Sequence, residues 1–248
     1  MFTFADGRSR VGVFVKTDST QVVEVLALCD LDFVVLDAEH APFDRGIMDR
    51  MLFATRALKL PMLVRIPDHR DATILSVLDL GASGIVVPHV DSAADARNVL
   101  AAARFVGGRR GLSLSARYGG YGTKGRDEAI AEADQSLVVC QIESGAVVEV
   151  VEEIAAVPGL GGLLIGRSDL ALSMGLDGPR HPRVLAAMER IMLAARANGL
   201  PVLVAAGSDA EVAEFAAMGV VGFIVGSDQS LMRQAGCKLP GVLNAAIA

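Results

Sequence analysis

Short apolar runs alternate with longer amphipathic stretches along most of this chain, and this alternation limits its fold more than any other feature. Each run has the length and composition of a buried strand, and the stretches between the runs are alanine-rich with helical spacing. Clear helical stretches occupy residues 92–104, 182–198 and 209–218. The predicted strands begin at Val11, Asp32, Met62, Gly84, Leu137, Gly162, Pro201 and Gly222.

Eight strands alternating with helices over 248 residues match a (β/α)8 barrel, the TIM barrel of the α/β class. We therefore expect a single TIM-barrel domain over residues 1–248. A chain of this length also fits two smaller domains. A doubly wound sheet is another alternative, but it would place a glycine-rich turn after its first strand. Here the first run leads into Lys16, Thr17 and Asp18 without such a turn.

Small residues mark the predicted helix boundaries. Three glycines each end a helical pattern and precede a strand, as C-cap glycines do, namely Gly81, Gly199 and Gly219. Three serines are placed to act as N-caps, namely Ser92, Ser168 and Ser208.

Charge and composition exclude several classes of function. The net charge is −6, whereas a duplex nucleic-acid partner needs a basic face. The chain has no Trp and few aromatic residues, which argues against a base-stacking platform. The three cysteines form neither a disulfide framework nor a CxxC metal pair. No signal peptide is visible, and no run approaches the roughly 18 apolar residues of a membrane helix. We expect a cytoplasmic protein with no nucleic-acid or membrane partner.

Polar side chains follow four of the predicted strands. The carboxyl ends of the strands are where parallel α/β barrels place their chemistry, so these side chains should converge on one rim. Carboxylates, a histidine and an arginine at one rim suggest a metal-assisted lyase. The residues are Asp37, Glu39, His40, Arg65, Glu143 and Asp169.

Glu143 and Asp169 are the candidate metal ligands. Mg2+ is usually held by one or two carboxylates, with water and substrate oxygens completing the coordination. An α-keto acid bound to such an ion would have its carbonyl polarised. The alternative is that both are acidic residues at helix N-termini, where the helix dipole favours them.

Asp37, His40 and Arg65 are the candidates for proton transfer and anion binding. A carboxylate three residues before a histidine can fix the tautomer of the ring and raise its basicity. Arg65 is placed to hold a carboxylate or a developing enolate oxygen. The alternatives are a solvated loop histidine and a structural ion pair.

Several other chemistries lack support in the sequence. No GxGxxG, P-loop or GxSxG motif is present, which removes the basis for dinucleotide, nucleotide and serine-hydrolase functions. A Schiff-base aldolase needs a lysine in the barrel mouth, and Lys16 alone lies near a predicted strand end. Residues 107–125 form a long irregular stretch, which we interpret as a functional loop or lid.

The chain resembles the HpcH/HpaI aldolase family, the metal-dependent pyruvate aldolases related to the citrate lyase β-subunit. The likeness runs from about Gly12 to Leu231. It is carried by LDFVVLDAEHAP at 31–42, LVRIP at 63–67, VLDLGA at 77–82, VVP at 86–88, RG at 110–111, QIE at 141–143, IGRSDL at 165–170, MG at 174–175 and VGSD at 225–228.

This resemblance implies a role for each candidate residue. Glu143 and Asp169 would bind Mg2+, Mn2+ or Co2+. Arg65 would contact the keto oxygen of pyruvate and its enolate. His40, paired with Asp37, would act as acid and base through a metal-bound water. Gln141 would line the pyruvate site. The backbone amides of Ser168 and Asp169 would hold the pyruvate carboxylate. Asp79 would reach the active site of a neighbouring subunit.

The resemblance also implies the reaction and the assembly. A class II aldolase, a carbon–carbon lyase, would cleave or form a 4-hydroxy-2-oxo acid from pyruvate and an aldehyde. Its barrel would swap a C-terminal helix and assemble as a trimer of dimers, a homohexamer. The chain departs from the family at Arg167, where proline is usual, at Lys16 and in the loop 117–122, and added cationic groups near the mouth suggest a more anionic substrate.

Two alternatives stay open. A citrate-synthase-like Claisen condensation of an acyl-CoA with an oxo acid would use the same fold. A non-catalytic metabolite-binding or scaffold barrel would bind ligand without turnover.

Overall fold

The computed structural model describes residues 2–240. Within them, eight parallel strands close into one barrel in chain order, and helices connect the strands. The predicted (β/α)8 TIM barrel is therefore confirmed. The strands are β1 (Arg10–Val15), β2 (Phe33–Asp37), β3 (Met62–Arg65), β4 (Gly84–Val87), β5 (Leu137–Ile142), β6 (Gly162–Ile165), β7 (Val202–Ala206) and β8 (Gly222–Ser227).

The helices pack outside the barrel, and a short 3-10 segment at Arg117–Gly122 lies between the fourth and fifth helices. The helices are α1 (Thr20–Ala27), α2 (Arg45–Ala57), α3 (Asp71–Asp79), α4 (Ala93–Ala103), α5 (Arg126–Ala133), α6 (Gly145–Val148), α7 (Val151–Ala155), α8 (Arg167–Ser173), α9 (Pro182–Ala197), α10 (Asp209–Met218) and α11 (Asp228–Gly236).

The predicted helix caps are confirmed except at one position. Ser92 and Ser208 cap α4 and α10 by accepting backbone N–H bonds from the first turn of each helix. Gly219 ends α10 in the left-handed region, at a φ of 100°, where glycine carries no Cβ penalty. The prediction for Ser168 is wrong, because α8 begins directly after β6 and its N-cap position is Gly166.

Strand alternation divides the core into two layers. Side chains of one parity fill the barrel interior, and those of the other parity pack against the helices. All five residues of β2 are buried, as expected of a parallel strand covered on both faces. The interior layer consists of Phe33, Val35, Leu63, Val86, Leu137, Val139, Leu164, Leu203 and Ile224, with Phe4 beneath them.

The N-terminal segment closes the amino end of the barrel. Phe4 is buried there and packs edge-on against Phe33, with 5.2 Å between the ring centroids. Phe2 makes a second edge contact with Phe4 at 4.9 Å. The amino end of the barrel is therefore filled by aromatic side chains.

The remaining sequence predictions concern the loops and the tail. The stretch 107–125 contains the 3-10 segment, and its Tyr118 packs on Phe105 beside α5. No helix within residues 2–240 is both long and apolar enough to span a bilayer. The tail 241–248, where docking on a neighbouring subunit is expected, lies outside the described residues, so the exchange of a C-terminal helix stays a prediction.

Candidate active site

Strand parity decides which polar side chains enter the barrel mouth. Alternate residues of a strand share a face, so the interior face continues two positions beyond its last apolar residue. On β1, β2 and β3 those positions hold Lys16, Asp37 and Arg65. On β5 and β6 they hold Gln141 and Gly166. The rim therefore gathers residues that are far apart in the chain.

Asp37 anchors the two cations of the rim. Its carboxylate is fully buried and accepts a bidentate pair of hydrogen bonds from Arg65, Nε to Oδ1 at 2.9 Å and Nη2 to Oδ2 at 2.8 Å. Lys16 Nζ lies 2.9 Å from the same Oδ2. Burial raises the pKa of Asp37, but the hydrogen bonds from Arg65 and Lys16 outweigh it and lower the pKa to about 2. Asp37 therefore stays ionised and fixes the orientation of Arg65.

His40 contacts Asp37 through the His40 backbone N–H and not through the imidazole ring. The His40 N–H donates to Asp37 Oδ1 at 3.2 Å, whereas the imidazole Nε2 lies 3.6 Å from Glu39 Oε2. The side-chain pair between His40 and Asp37 is therefore not formed in this structure. The physical reason is that Arg65 and Lys16 already take both carboxylate oxygens of a group with no exposed surface. The predicted acid–base role of His40 is a separate matter and stays a prediction.

Glu39 and His89 extend the rim from the Arg65 side to the β5 side. Glu39 Oε2 lies 3.3 Å from Arg65 Nε, and Glu39 Oε1 lies 3.2 Å from His89 Nε2. His89 follows β4 with a φ of 53°, an uncommon conformation for a residue other than glycine. This conformation lets both its N–H and its ring Nδ1 approach Glu143 Oε1, at 2.6 and 2.9 Å.

Glu143 is buried and closely held from three sides. His89 binds one of its oxygens, and the Gln141 amide donates to the other. A Cβ built on Gly166 would lie 2.9 Å from Glu143 Cβ, so the glycine is what lets β6 approach this carboxylate. Gln141 Oε1 is buried and has no hydrogen-bond donor among residues 2–240. Such an orphaned acceptor is expected where a ligand supplies the partner.

Ser168 and Asp169 lie in the first turn of α8, directly beyond Gly166, and both are exposed. Their position at the end of β6 puts their backbone N–H groups at a helix N-terminus, where anions bind well. Asp169 therefore follows β6 at the carboxyl end of the barrel, as Glu143 follows β5, and their pairing at one metal ion stays a prediction. Among the described residues, no group of three or more His, Cys, Asp and Glu side chains is arranged to hold a metal on its own.

Asp79 lies away from this rim within its own chain. It ends α3, just before the start of β4, which is the amino side of the barrel. Its Oδ1 accepts a 2.8 Å hydrogen bond from Arg110, whose side chain is fully buried between Phe105 and Tyr118. If Asp79 acts at an active site, that site would therefore belong to a neighbouring subunit, as the family resemblance implies.

Arg167 does not enter the mouth, although it follows a strand end. Its guanidinium forms a bidentate pair with Glu211, at 2.9 and 3.0 Å, and stacks over Phe215. Nη2 also donates to the Ala205 carbonyl at 2.8 Å. The expectation that Arg167 adds positive charge for a substrate is therefore wrong, because Arg167 begins α8 and its side chain packs outward against β7 and α10.

Two residues of the site had no predicted role. The sequence placed His89 at the end of an apolar run, but nothing local indicated that it would bridge two carboxylates. Asp228 accepts hydrogen bonds from the backbone N–H groups of Lys16 and Thr17, at 2.9 and 3.0 Å. These partners are more than two hundred positions apart, so only barrel closure between β1 and β8 brings them together.

A closed parallel barrel with carboxylates, an arginine and a lysine gathered at its carboxyl rim is a TIM barrel whose polar cluster lies where enzymes of this fold place their active sites. The family model for HpcH/HpaI aldolase/citrate lyase matches residues 10–235. The chain therefore belongs to the HpcH/HpaI aldolase/citrate lyase family, and the resemblance noted in the sequence is confirmed.

Similar proteins support the same assignment. A 5-keto-4-deoxy-D-glucarate aldolase of Klebsiella pneumoniae is 35% identical over 219 residues, which cover 87% of this chain and 85% of that protein. A solved HpcH/HpaI aldolase/citrate lyase family protein of Burkholderia cenocepacia is 30% identical, with a TM-score of 0.92 and coverage of 97% of both chains. The solved citrate synthase SbnG is 27% identical, with a TM-score of 0.88 over 98% of this chain and 96% of that one.

These comparisons bear directly on the predicted activity. The curated relative at 35% identity is an aldolase, and the matching family is one of aldolases and lyases. The chain is a carbon–carbon lyase of the aldolase type that acts on small molecules. A non-catalytic scaffold finds no support in them.

Proposed function

We propose that this protein is a divalent-metal-dependent aldolase that cleaves a 4-hydroxy-2-oxo acid into pyruvate and an aldehyde. The observation that carries the proposal is the Arg65 guanidinium, locked by Asp37 at the same rim as the carboxylate of Glu143. An oriented guanidinium beside an oxygen-donor site is what a 2-oxo acid requires at its reacting end.

The names of the relatives define a chemical class of substrate. A 5-keto-4-deoxy-D-glucarate carries a ketone next to one terminal carboxylate, then a deoxy carbon, then a hydroxyl carbon. Numbered from that end, it is a 4-hydroxy-2-oxo acid with a second carboxylate at its far end. Retro-aldol cleavage between its third and fourth carbons yields pyruvate and an aldehyde. We assign this class of substrate to the present chain.

Arg65 stabilises the enolate formed during cleavage. Its Nε and one Nη2 proton are occupied by Asp37, while none of the hydrogen bonds among the described residues uses Nη1. The remaining N–H groups are free to donate to the 2-oxo oxygen, whose negative charge grows as the carbon–carbon bond breaks. Because Asp37 fixes the guanidinium beforehand, little reorganisation accompanies the reaction.

Glu143 and Asp169 fit a hard divalent cation such as Mg2+, Mn2+ or Co2+. Carboxylate oxygens are the preferred ligands of Mg2+, and the orphaned Gln141 Oε1 adds an oxygen acceptor beside them. When bound, the cation supplies Lewis-acid polarisation of the substrate carbonyl. Gln141 and His89 hold the Glu143 carboxylate in place by hydrogen bonds.

The other predicted residues take supporting roles in this proposal. The backbone N–H groups of Ser168 and Asp169, at the start of α8, bind the carboxylate of the pyruvate half. Gln141 lines the site from β5. His40, which is largely exposed beside Glu39, moves protons to and from the substrate hydroxyl through water.

We also propose that the protein is a homohexamer, a trimer of dimers, in which Asp79 completes a neighbour's site. Large apolar side chains on the outer helices support subunit contacts, since Leu28, Phe53 and Leu172 are each more than 60% exposed. Native mass spectrometry measures the assembly directly, and a monomer at micromolar concentration would contradict it.

Activity with and without metal tests the function. We expect EDTA to abolish pyruvate release from 4-hydroxy-2-oxo acids, Mn2+ or Mg2+ to restore it, and borohydride with pyruvate to leave the enzyme active. Glu143→Gln and Asp169→Asn should weaken Mn2+ binding in calorimetry by at least about tenfold, with an unchanged circular dichroism spectrum. Covalent trapping of pyruvate on a lysine, or full Mn2+ affinity in both variants, would contradict the proposal.

The Claisen alternative is supported by the likeness to citrate synthase SbnG. It has less support than the aldolase, because relatives above 30% identity are named aldolases. A thiol assay with oxaloacetate and acetyl-CoA separates the two. Release of CoA that needs oxaloacetate, without pyruvate release from any 4-hydroxy-2-oxo acid, would favour the condensation.

A further inference from the structure

We propose that Lys16 is the specificity-determining residue of this site and that it binds a carboxylate carried by the aldehyde half of the substrate. The inference rests on the proposed aldolase function and narrows its substrate to dicarboxylic 4-hydroxy-2-oxo acids. It is supported by four features of Lys16: its neighbours, its free N–H groups, the aromatic ring beside its ammonium group and the anchoring of its backbone.

Lys16 lies directly beside the residue assigned to the reacting carbonyl. Its Nζ and Arg65 Nη2 both contact the same oxygen of Asp37, at 2.9 and 2.8 Å. One buried carboxylate oxygen thus holds two cationic groups side by side. If Arg65 receives the 2-oxo oxygen, Lys16 is next to the part of the substrate that lies beyond the breaking bond.

The ammonium group of Lys16 has donors left for a ligand. An ammonium carries three N–H donors, and Asp37 is its single acceptor among the described residues. The Lys16 side chain is 27% exposed, whereas the side chains of Asp37 and Arg65 are 0% and 9% exposed. The free N–H groups therefore face the open part of the mouth rather than the protein interior.

The aromatic ring of Phe14 restricts where the two cations can move. The ring centroid lies 4.8 Å from the Arg65 guanidinium carbon and 5.8 Å from Lys16 Nζ. Aromatic faces attract cations over such distances. Phe14 and Asp37 together hold the Lys16 side chain in the mouth, whereas a lysine on a free surface would sample many rotamers.

The backbone of Lys16 is anchored by the far end of the chain. Asp228 is 5% exposed and accepts the N–H groups of both Lys16 and Thr17. Gln229 Nε2 donates to the Lys16 carbonyl at 3.4 Å. A ligand contact is more selective when supporting groups fix its position. Here Asp228 and Gln229, both in the first turn of α11, fix the backbone of Lys16.

Paired acceptor aldehydes test the inference by comparing a carboxylate with its uncharged counterpart. Aldol addition of pyruvate is measured with glyoxylate against acetaldehyde, and with succinic semialdehyde against butanal. We expect Lys16→Met to lower kcat/KM for a carboxylate acceptor at least about tenfold, mainly through KM, because it removes a charge-assisted hydrogen bond. The uncharged partner of that pair should change by less than about threefold.

Two further variants calibrate the result. Lys16→Arg keeps the charge and should retain most of the preference for the carboxylate acceptor. Lys59→Met, an exposed lysine at the end of α2, is the matched control and should change neither acceptor. Lys16→Gln serves the same purpose as Lys16→Met if the latter does not fold.

The outcomes distinguish this inference from the proposed function. Equal losses for charged and uncharged acceptors, or no loss in either pair, overturn the role of Lys16 while leaving the aldolase intact. Borohydride inactivation that requires Lys16 overturns both the role of Lys16 and the metal-dependent mechanism, since the residue would then form a Schiff base with pyruvate. A wild-type enzyme that turns over no pyruvate acceptor with any metal overturns the aldolase function itself.

Discussion

At the scale of single residues, Gly166 is the position where the smallest change should have the largest effect on the site. The residue has an ordinary backbone conformation, with φ of −85° and ψ of 72°. A substitution there is therefore not strained by the backbone itself. Its effect comes from the contact with Glu143, whose Cβ and Oε2 would lie 2.9 and 3.2 Å from an added Cβ.

We expect Gly166→Ala to displace Glu143 and to weaken Mn2+ binding at least about tenfold, the usual effect of disturbing a ligand's support. Isothermal calorimetry with Mn2+ measures the change, together with kcat for pyruvate release. The matched control is Gly178→Ala, where an added Cβ meets nothing within 4 Å. Unchanged Mn2+ affinity in Gly166→Ala would show that Glu143 is not a metal ligand.

At the scale of secondary-structure elements, one ion pair joins α8 to β7 and α10. Arg167 is buried, and Glu211 accepts hydrogen bonds from it and, at 2.8 Å, from the Gly207 N–H. The hydrogen bonds from Arg167 lower the pKa of Glu211 from 4.5 to about 2, against the opposing effect of burial. The charged form of Glu211 thus stabilises the contact between these elements.

We expect Glu211→Gln to lower the free energy of unfolding by about 3 kcal/mol at pH 7, because it leaves Arg167 buried without a counter-charge. A carboxylate with a lowered pKa contributes fully above its unfolded value of 4.5 and loses that contribution as the pH falls toward about 2. The difference between wild type and variant should therefore shrink in acid.

Urea denaturation between pH 7 and pH 3 measures this difference. Glu214→Gln is the control, since Glu214 is 39% exposed and pairs with the exposed Arg180. Surface pairs contribute little, so that variant should stay close to wild type at every pH. A Glu211→Gln effect that is independent of pH would show that the charge of Glu211 does not hold the elements together.

At the scale of the whole molecule, the barrel separates stability from chemistry. The amino end is filled by Phe4 and Phe33, whereas the polar rim lies at the carboxyl end. We expect Phe4→Ala to lower the free energy of unfolding by about 3 kcal/mol, because a buried aromatic ring leaves a cavity. KM and kcat should be unchanged at a temperature where the variant is folded.

Phe2→Ala is the comparison for that experiment, since Phe2 is only partly buried and should cost less. Guanidinium denaturation and steady-state kinetics on the same preparations give both quantities. A loss of kcat in Phe4→Ala without a loss of stability would mean that the two ends of the barrel are coupled.

The sequence predicted the fold in most of its particulars. All eight strands begin at the predicted residue or one position from it, and α10 spans the predicted 209–218. It also placed Asp37, Arg65 and Glu143 at one rim. These predictions succeeded because they depend on periodicity and on the order of elements, which are properties of neighbouring residues.

Other predictions failed where partners were chosen across the barrel. Asp37 was assigned to His40, three residues away, but its side chain binds Arg65 and Lys16 on the adjacent strands. Arg167 was assigned to the mouth, but it pairs with Glu211 in the helix layer. In both cases the partner is distant in sequence and is brought close only by the closed barrel and its helix layer.

The sequence by itself determined a (β/α)8 barrel with an acidic and cationic rim, because local hydrophobic periodicity selects strands and helices. Its matching segments, by resemblance, indicated the HpcH/HpaI aldolase family. Only the tertiary structure decided that Lys16 shares Asp37 with Arg65, that His89 bridges Glu39 and Glu143, and that Asp228 anchors the first loop. The physical reason is that these contacts join strands paired by hydrogen-bond register around a closed barrel, and that register is a property of the whole ring of strands.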